Sequence, residues 1–248
     1  MKKEVPVRIA YNARGKQFYM QIRKPVFIMN SASVTKNEHS AVMSGVKTIL
    51  KIIGLEKEIQ INDLGCWNQG SGEHESIDWY LAEAQVKTAN GCQIYDDDLL
   101  KLYRKSPLTK NLLHFVVMII DKDLTSKRDD GAWYNFVIGD SFPDIGVVLS
   151  VKRFRGLSDS QKQEECIKTL VMHELGHVFL AASGRNGIDA LSDQSNSSVL
   201  YKDHCDQECV MRQGGRVPDA WEKLSEDRLK SGKPFCKKCI DEMKRYIK

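Results

Sequence analysis

An α+β fold with a mixed, twisted sheet backed by helices is predicted by three observations. Short segments of alternating apolar residues stand beside segments with helical periodicity. The run LLHFVVMIID at 112–121 is almost wholly apolar, which suits a strand covered on both faces. Residues 160–183 are apolar around most of a helical circumference, which places that helix deep inside the domain. With 42% hydrophobic and 28% charged residues in 248, the chain has material for a sizeable core, and disorder is excluded. No run approaches the roughly eighteen apolar residues of a membrane helix. The start MKKEVPVRIAYNARG has no apolar export segment. A cytoplasmic protein without membrane association is therefore expected. A net charge of +4 is too diffuse to point to nucleic acid.

Taken in order, Val5, Val7 and Ile9 alternate with other residues, as do Phe18, Met20 and Ile22, and Arg14-Gly15 offers a turn between two strands. Residues 36–53 set Val42, Val46, Ile49, Leu50 and Ile53 on one helical stripe. Ile59 and Ile61 suggest a short strand, followed at 65–76 by a loop rich in glycine, serine and acidic residues. Helical material is expected from there through Tyr103, broken near Gly91. Beyond the 112–121 strand, residues 135–138 and 145–151 read as two more strands. Residues 184–248 are polar, low in periodicity and hold four of the seven cysteines. A segment so poor in core-forming residues needs another source of stability, and a metal ion is the candidate.

Within the buried helix lies His173-Glu174-Leu175-Gly176-His177, an H-E-x-x-H pattern. Two histidines four apart on a helix stack on one face and can ligate one zinc ion. The glutamate between them is offset from the ligand positions, where it can take a proton from water acidified by the metal. Core histidines satisfied by neighbouring hydrogen bonds are the alternative, though two histidines and a glutamate are costly to bury without a partner. His39, His74 and His114 lack metal-like spacing and read as surface or packing residues. His204, directly before a cysteine, is the candidate third ligand, with Asp203 or an open third position as alternatives.

Cys205 and Cys209, then Cys236 and Cys239, form two close pairs with the spacing of a four-cysteine structural zinc site. Two disulfides or free thiols are the alternative, disfavoured because no export signal supports oxidation. Cys66, Cys92 and Cys166 read as buried free thiols. Two zinc ions per chain are therefore expected, one catalytic and one structural.

Together these residues resemble the archaemetzincins, zinc metallopeptidases of the metzincin clan. That family joins H-E-x-x-H-x-x-G-x-x-H to a cysteine-containing segment, then C-x-M and a final C-x-x-C. Here His173, Glu174 and His177, then His204-Cys205, Cys209-Val210-Met211 and Cys236/Cys239 follow the same order. Segments 92–103, 116–124 and 135–154 also resemble the family's core helix and strands, so the likeness runs from Cys92 to the end. The resemblance implies a zincin-like catalytic domain with an active-site helix and a small zinc-clipped C-terminal subdomain. It also implies catalytic zinc on His173, His177 and His204, Glu174 as general base, and Met211 as an apolar Met-turn beneath the metal. Structural zinc would sit on Cys205, Cys209, Cys236 and Cys239. By the same likeness the strand at 145–151 would border the cleft and pair with extended substrate.

Three departures stand out. Leu180 occupies the position of the family's turn glycine and Ser183 that of its third histidine, so an insertion precedes His204. The Cys205–Cys209 gap is also one residue shorter than usual. Leu180-Ala181-Ala182 are good helix formers, which predicts one further helical turn ending at Gly184. The expected organisation is one catalytic domain in two lobes, 1–183 and 184–248, with 185–203 as a rim or lid. The expected function is a zinc peptidase acting on peptide or protein substrates. A non-catalytic zinc protein that keeps the scaffold is the alternative. A nucleic-acid role for the tail lysines has no aromatic interleaving behind it, and nothing in the residues speaks to oligomeric state.

Overall fold

The structure is a computed structural model that describes residues 7–11, 17–21, 24–128, 130–191 and 201–247. The N-terminal alternation forms an antiparallel pair, β1 (Val7–Tyr11) and β2 (Gln17–Gln21). Val5, Ile22 and the expected Arg14-Gly15 turn lie outside the described residues. β3 (Val26–Asn30) leads into α1 (Lys36–Ile53). Thr35 opens α1 with a capping box. Its hydroxyl accepts the Glu38 N–H, and the Glu38 carboxylate accepts the Thr35 N–H at 2.8 Å. The stripe from Val42 to Ile53 is buried, as the periodicity requires.

β4 (Ile61–Cys66) follows. The next stretch corrects the expectation of continuous helix through Tyr103. Between α2 (Ile77–Glu83) and α3 (Asp96–Arg104) runs a hairpin, β5 (Gln85–Thr88) and β6 (Gly91–Tyr95). Asn90-Gly91 is a hairpin turn signal, and the residues of β5 before it alternate in exposure as a strand does. After the short α4 (Pro107–Asn111) comes β7 (Phe115–Ile120), with all six residues buried. β8 (Leu124–Thr125) pairs with β6. The expected strand at 135–138 reduces to one bridge, Val137 to Leu124, and the strand proper is β9 (Gly139–Phe142). β10 (Gly146–Ser150) completes the main sheet, and a 3-10 turn at Lys152–Gly156 leads to α5 (Ser160–Val178).

That sheet has the order β4-β3-β7-β10-β9, parallel except where β9 runs antiparallel to β10. Period-two alternation divides β7 between two cores. Phe115, Val117 and Ile119 face α1 and α5, while Val116, Met118 and Ile120 face α2 and α3. Each such buried side chain contributes about 1.5–3 kcal/mol. The expected α+β fold with a mixed sheet is therefore the one observed. No helix among the described residues is long and apolar enough to cross a membrane.

The C-terminal segment is more regular than its composition suggests. Beyond the short pair β11 (Asn186–Gly187) and β12 (Tyr201–Lys202) stand α6 (Asp219–Ser231) and α7 (Lys237–Ile247). The apolar stripe of α6 is narrow: it buries Ala220, Trp221 and Leu224 together with Ser225 and Arg228. Mixing polar residues into the buried face hides the period.

The end of α5 is a second correction. The helix stops at Val178 instead of running to Gly184. Leu180 and Ala182 each take φ of 59°, in the left-handed region, and Gly184 takes 72°. The turn buries Phe179, Ala181 and Ala182, and the Ala182 N–H donates to Glu242 at 2.9 Å. These tertiary contacts override helix propensity at a cost of about 1–2 kcal/mol per non-glycine left-handed residue. Leu180→Gly is expected to raise the thermal unfolding midpoint and Leu180→Val to lower it, each by the equivalent of about 1 kcal/mol. A Leu180→Gly protein that melts lower would show that the Leu180 side chain, not the backbone, decides this turn.

Candidate metal centre and active site

The face of α5 that carries His173 and His177 sets their Nε2 atoms 3.1 Å apart. His204, just past β12, swings its ring to centroid distances of 5.2 Å from His173 and 4.9 Å from His177. One ligand nitrogen from each of the three lies within 4.8 Å of the others. The His173 Nδ1–H donates to the Val210 carbonyl at 2.6 Å, and the His204 Nδ1–H to the Lys202 carbonyl at 2.7 Å. Both bonds fix the tautomer that leaves Nε2 with a free lone pair. Burial, reinforced by the neighbouring rings, pushes His173 down to about 3 and His177 well below the ordinary imidazole value. Burial lowers His204 as well. Three neutral imidazoles with converging lone pairs are the donor set that zinc takes. A tetrahedral ion with Zn–N near 2.05 Å spaces its nitrogens about 3.4 Å apart, close to the separation seen on α5.

Glu174 sits between the two helix histidines, 7% exposed. Burial pushes its carboxyl well above the usual carboxylate range, and the Asp140 charge adds to this, while the Ser141 hydroxyl works the other way. Its neighbour is β9. A Cβ added at Gly139 would fall 2.7 Å from Glu174 Oε1, so the glycine lets the strand lie this close without displacing the carboxylate. Among the described residues β9 pairs only with β10, which leaves its outer edge open beside Glu174. The cleft-bordering role expected for 145–151 is thereby corrected. β10 is paired on both sides, by β7 and β9, and has no edge to offer.

Beneath the histidines, Met211 is fully buried. A Cβ on Gly176 would meet Met211 Sδ at 2.3 Å, so the methionine lies against the helix between the two histidines. Trp221 walls the same centre, its ring 5.3 Å from that of His173.

Cys205, Cys209, Cys236 and Cys239 bring their sulfurs within 4.8 Å of one another. The Cys205–Cys236 separation is 3.7 Å and the Cys209–Cys239 separation 3.6 Å. These are too long for disulfides, whose S–S length is about 2.05 Å. They match the edge of about 3.8 Å for a tetrahedral site with Zn–S of 2.3 Å. Backbone N–H groups of Gln207, Cys236 and Cys239 donate to Cys205, Cys209 and Cys236 sulfurs, as thiolates require.

The remaining candidates fall elsewhere. Asp203 accepts the Gly184 N–H at 2.6 Å and is absent from the nitrogen cluster. His114 is buried between the Tyr103 hydroxyl and the Leu112 carbonyl, both at 2.6 Å. His39 bridges Asn30 and Asp63, and His74 sits beside Glu73 and Trp79. Of the three thiols expected to be buried, Cys166 is, but Cys66 and Cys92 are exposed. Both exposed cysteines belong to strands unseen or misplaced in the sequence. Of the expected rim at 185–203, residues 192–200 lie outside the described residues.

Arg185 and the carbonyls of Val210 and Lys202 also serve this region, and sequence reading passed over all three. A carbonyl carries no residue-type signal, and Arg185 lies in an insertion without periodicity.

No family model matches the chain. The chain is 28% identical over 150 residues to the archaemetzincin of Nanoarchaeum equitans (strain Kin4-M), spanning 57% of this chain and 64% of that relative's length. The crystal structure of metalloproteinase-II from Bacteroides fragilis aligns with 88% of this chain and 65% of its own, at 10% identity and a TM-score of 0.34. The likeness to archaemetzincins read from the motifs thus recurs in a curated relative.

Because Met211 fills the space against Gly176, Gly176→Ala should overpack this floor. A loss of about 1–3 kcal/mol is expected, read as a lowered thermal midpoint. An unchanged midpoint would mean that Met211 moves aside freely.

Proposed function

We propose that this chain is a zinc-dependent metallopeptidase that cleaves extended peptide or protein substrates at the α5 histidine centre. The observation that carries this reading is the convergence of three imidazole nitrogens with Glu174 beside an open strand edge. The similarity to a curated archaemetzincin supports it.

His173, His177 and His204 hold the catalytic ion, and the four cysteines hold a second, structural ion. When bound, zinc supplies Lewis acidity, polarising the scissile carbonyl and lowering the pKa of water toward about 7. The chain's own residues do the rest. An extended substrate adds to the outer edge of β9, whose backbone groups hydrogen-bond it and fix its register. Glu174, held against Gly139, takes a proton from the attacking water on its carboxylate. It returns that proton to the departing amine as the C–N bond breaks. Val210 and Lys202 keep the histidine tautomers in place throughout, and the apolar floor of Met211 keeps solvent from beneath the centre. The described residues of 1–183 form the lobe above the cleft and those of 184–248 the lobe below it.

Hydrolysis of an unfolded protein by the zinc-loaded chain tests the reading. Activity is expected to vanish with a chelator and return with zinc. Glu174→Gln should lower kcat about 10²–10⁴-fold while zinc content stays at about two per chain. His204→Ala should reduce bound zinc to about one. Full peptidase activity in Glu174→Gln with normal zinc would sink the mechanism. Loss of both ions in His204→Ala would show that the two sites are not separate.

A further inference from the structure

Arg185 is largely buried, its side chain 13% exposed, and stands in the insertion immediately after the turn that ends α5. Its guanidinium spans both halves of the cysteine cluster. Nη2 donates to Cys239 Sγ at 2.7 Å and to Glu242 Oε2 at 2.9 Å, and Nη1 reaches Cys205 Sγ at 3.6 Å. Cys239 and Glu242 lie on one face of α7, three residues apart, whereas Cys205 follows His204 directly. A fork with five donors can hold two sulfurs and a carboxylate at once; an ammonium cannot do so in fixed geometry.

The backbone around Arg185 leads from this grip to His204. The Arg185 carbonyl accepts the Asp203 N–H at 2.6 Å, and the Asp203 carboxylate accepts the Gly184 N–H at 2.6 Å. The next residues, Asn186 and Gly187, pair with Lys202 and Tyr201. A Cβ on Gly187 would lie 2.3 Å from the carbonyl carbon of His204, so this strand packs directly on the ligand's own backbone. Lys202 in turn supplies the carbonyl that orients the His204 ring.

We propose that Arg185 is a positioning residue that couples the two metal sites: by bridging Cys205, Cys239 and Glu242, it fixes the root of the insertion and so holds His204 at the histidine centre. The inference rests on the two-metal reading above. A zinc ion on four thiolates carries a net charge of −2 that the guanidinium offsets. The thiolate site gains from Arg185 electrostatically, and the histidine site gains from it through β11 and β12. Without the grip, His204 hangs from a tether that leaves α5 at Val178 and brings it back 27 residues after His177.

Cobalt(II) as the probe separates the two sites in the full chain, because thiolate-to-cobalt charge transfer reports the cysteines and weaker visible bands report the nitrogens. With the thiolate site saturated, Arg185→Ala is expected to weaken cobalt binding at the histidine site about 10–100-fold. Arg185→Lys restores charge without the fork; it should recover the thiolate site and leave the histidine site about tenfold weak. His204→Ala sets the floor for the nitrogen bands, and circular dichroism checks that each variant is folded. Histidine-site affinity unchanged in Arg185→Ala would overturn the coupling. Full recovery of both sites by lysine would overturn the bridging geometry, since charge alone would then suffice. A wild-type chain without thiolate-to-cobalt bands would bring down the two-metal reading itself, and the coupling with it.

Discussion

The hydrogen bond from His173 Nδ1 to the Val210 carbonyl, 2.6 Å long and fully buried, is the constraint on which the centre depends. It ties α5 to a segment that does several things in eight residues. Residues 204–211 contribute a candidate zinc nitrogen, two thiols, the carbonyl that fixes a tautomer and the methionine of the floor. The segment is closed on itself by the Cys205 N–H donating to the Met211 carbonyl at 2.7 Å. It is anchored outward by the Val210 N–H donating to the Pro234 carbonyl at 2.9 Å. Any shift of this clip moves the histidine ring on α5, the His204 ring and half of the cysteine cluster at once. A metal in the cysteine cluster is therefore part of the scaffold of the histidine centre, although the two share no ligand.

The helix accepts this arrangement at an energetic cost. Burying an unpartnered polar group costs on the order of 1–3 kcal/mol, and α5 buries His173 and Glu174 within a largely apolar surface. The cost is reduced rather than removed: the imidazoles are neutral, and one nitrogen of His173 has a carbonyl partner. The nitrogens that converge at 3.1 Å offer their lone pairs to each other, an arrangement that needs a cation or a proton between them. Sheet and helices supply the compensating stability. β7 is buried on both faces, and α1 packs along α5 with its whole apolar stripe covered.

What the sequence disclosed follows from where its apolar residues carry information. α1, β7 and α5 bury most of their side chains, so period and composition located each of them to within a few residues. The motif histidines and cysteines were legible because metal spacing is set by ligand geometry and not by the fold. β9 was misplaced for the opposite reason. Its Gly139 and Ser141 stand against Glu174 and its Asp140 lies near Asp96 of α3, so the strand lacks the apolar alternation that marks strands elsewhere. β5 and β6 form a small sheet with β8, and the Asn90-Gly91 turn that betrays the hairpin read as a break in a helix. α6 was hidden because its buried face mixes serine and arginine with apolar residues, and α7 because, among its described residues, it fully buries only Cys239 and Met243.

The end of α5 shows how an insertion can be absorbed at a site that tolerates little displacement. The archaemetzincin pattern has six residues from the second histidine to the third, with a glycine to turn the chain; here the spacing is 27. Closing the longer loop costs only about 1.3 kcal/mol more in chain entropy. That is small beside the free energy of zinc binding, apparent values for structural zinc being about 10–16 kcal/mol. Entropy therefore does not forbid the insertion, and the difficulty is geometric. Leu180 solves the first half by turning left-handed without glycine, held there by the burial of Phe179 and Ala181. The second half, returning the chain to the centre in register, falls to contacts within the described root of the insertion. Asp203 binds back to Gly184 and Arg185, and Gly187 lies flat against His204. Ile188 and Ala190 donate backbone N–H groups to the Cys205 and Gln213 carbonyls, so the described part of the insertion is tied to the ligand segment at several points, and the ligand geometry depends on that root.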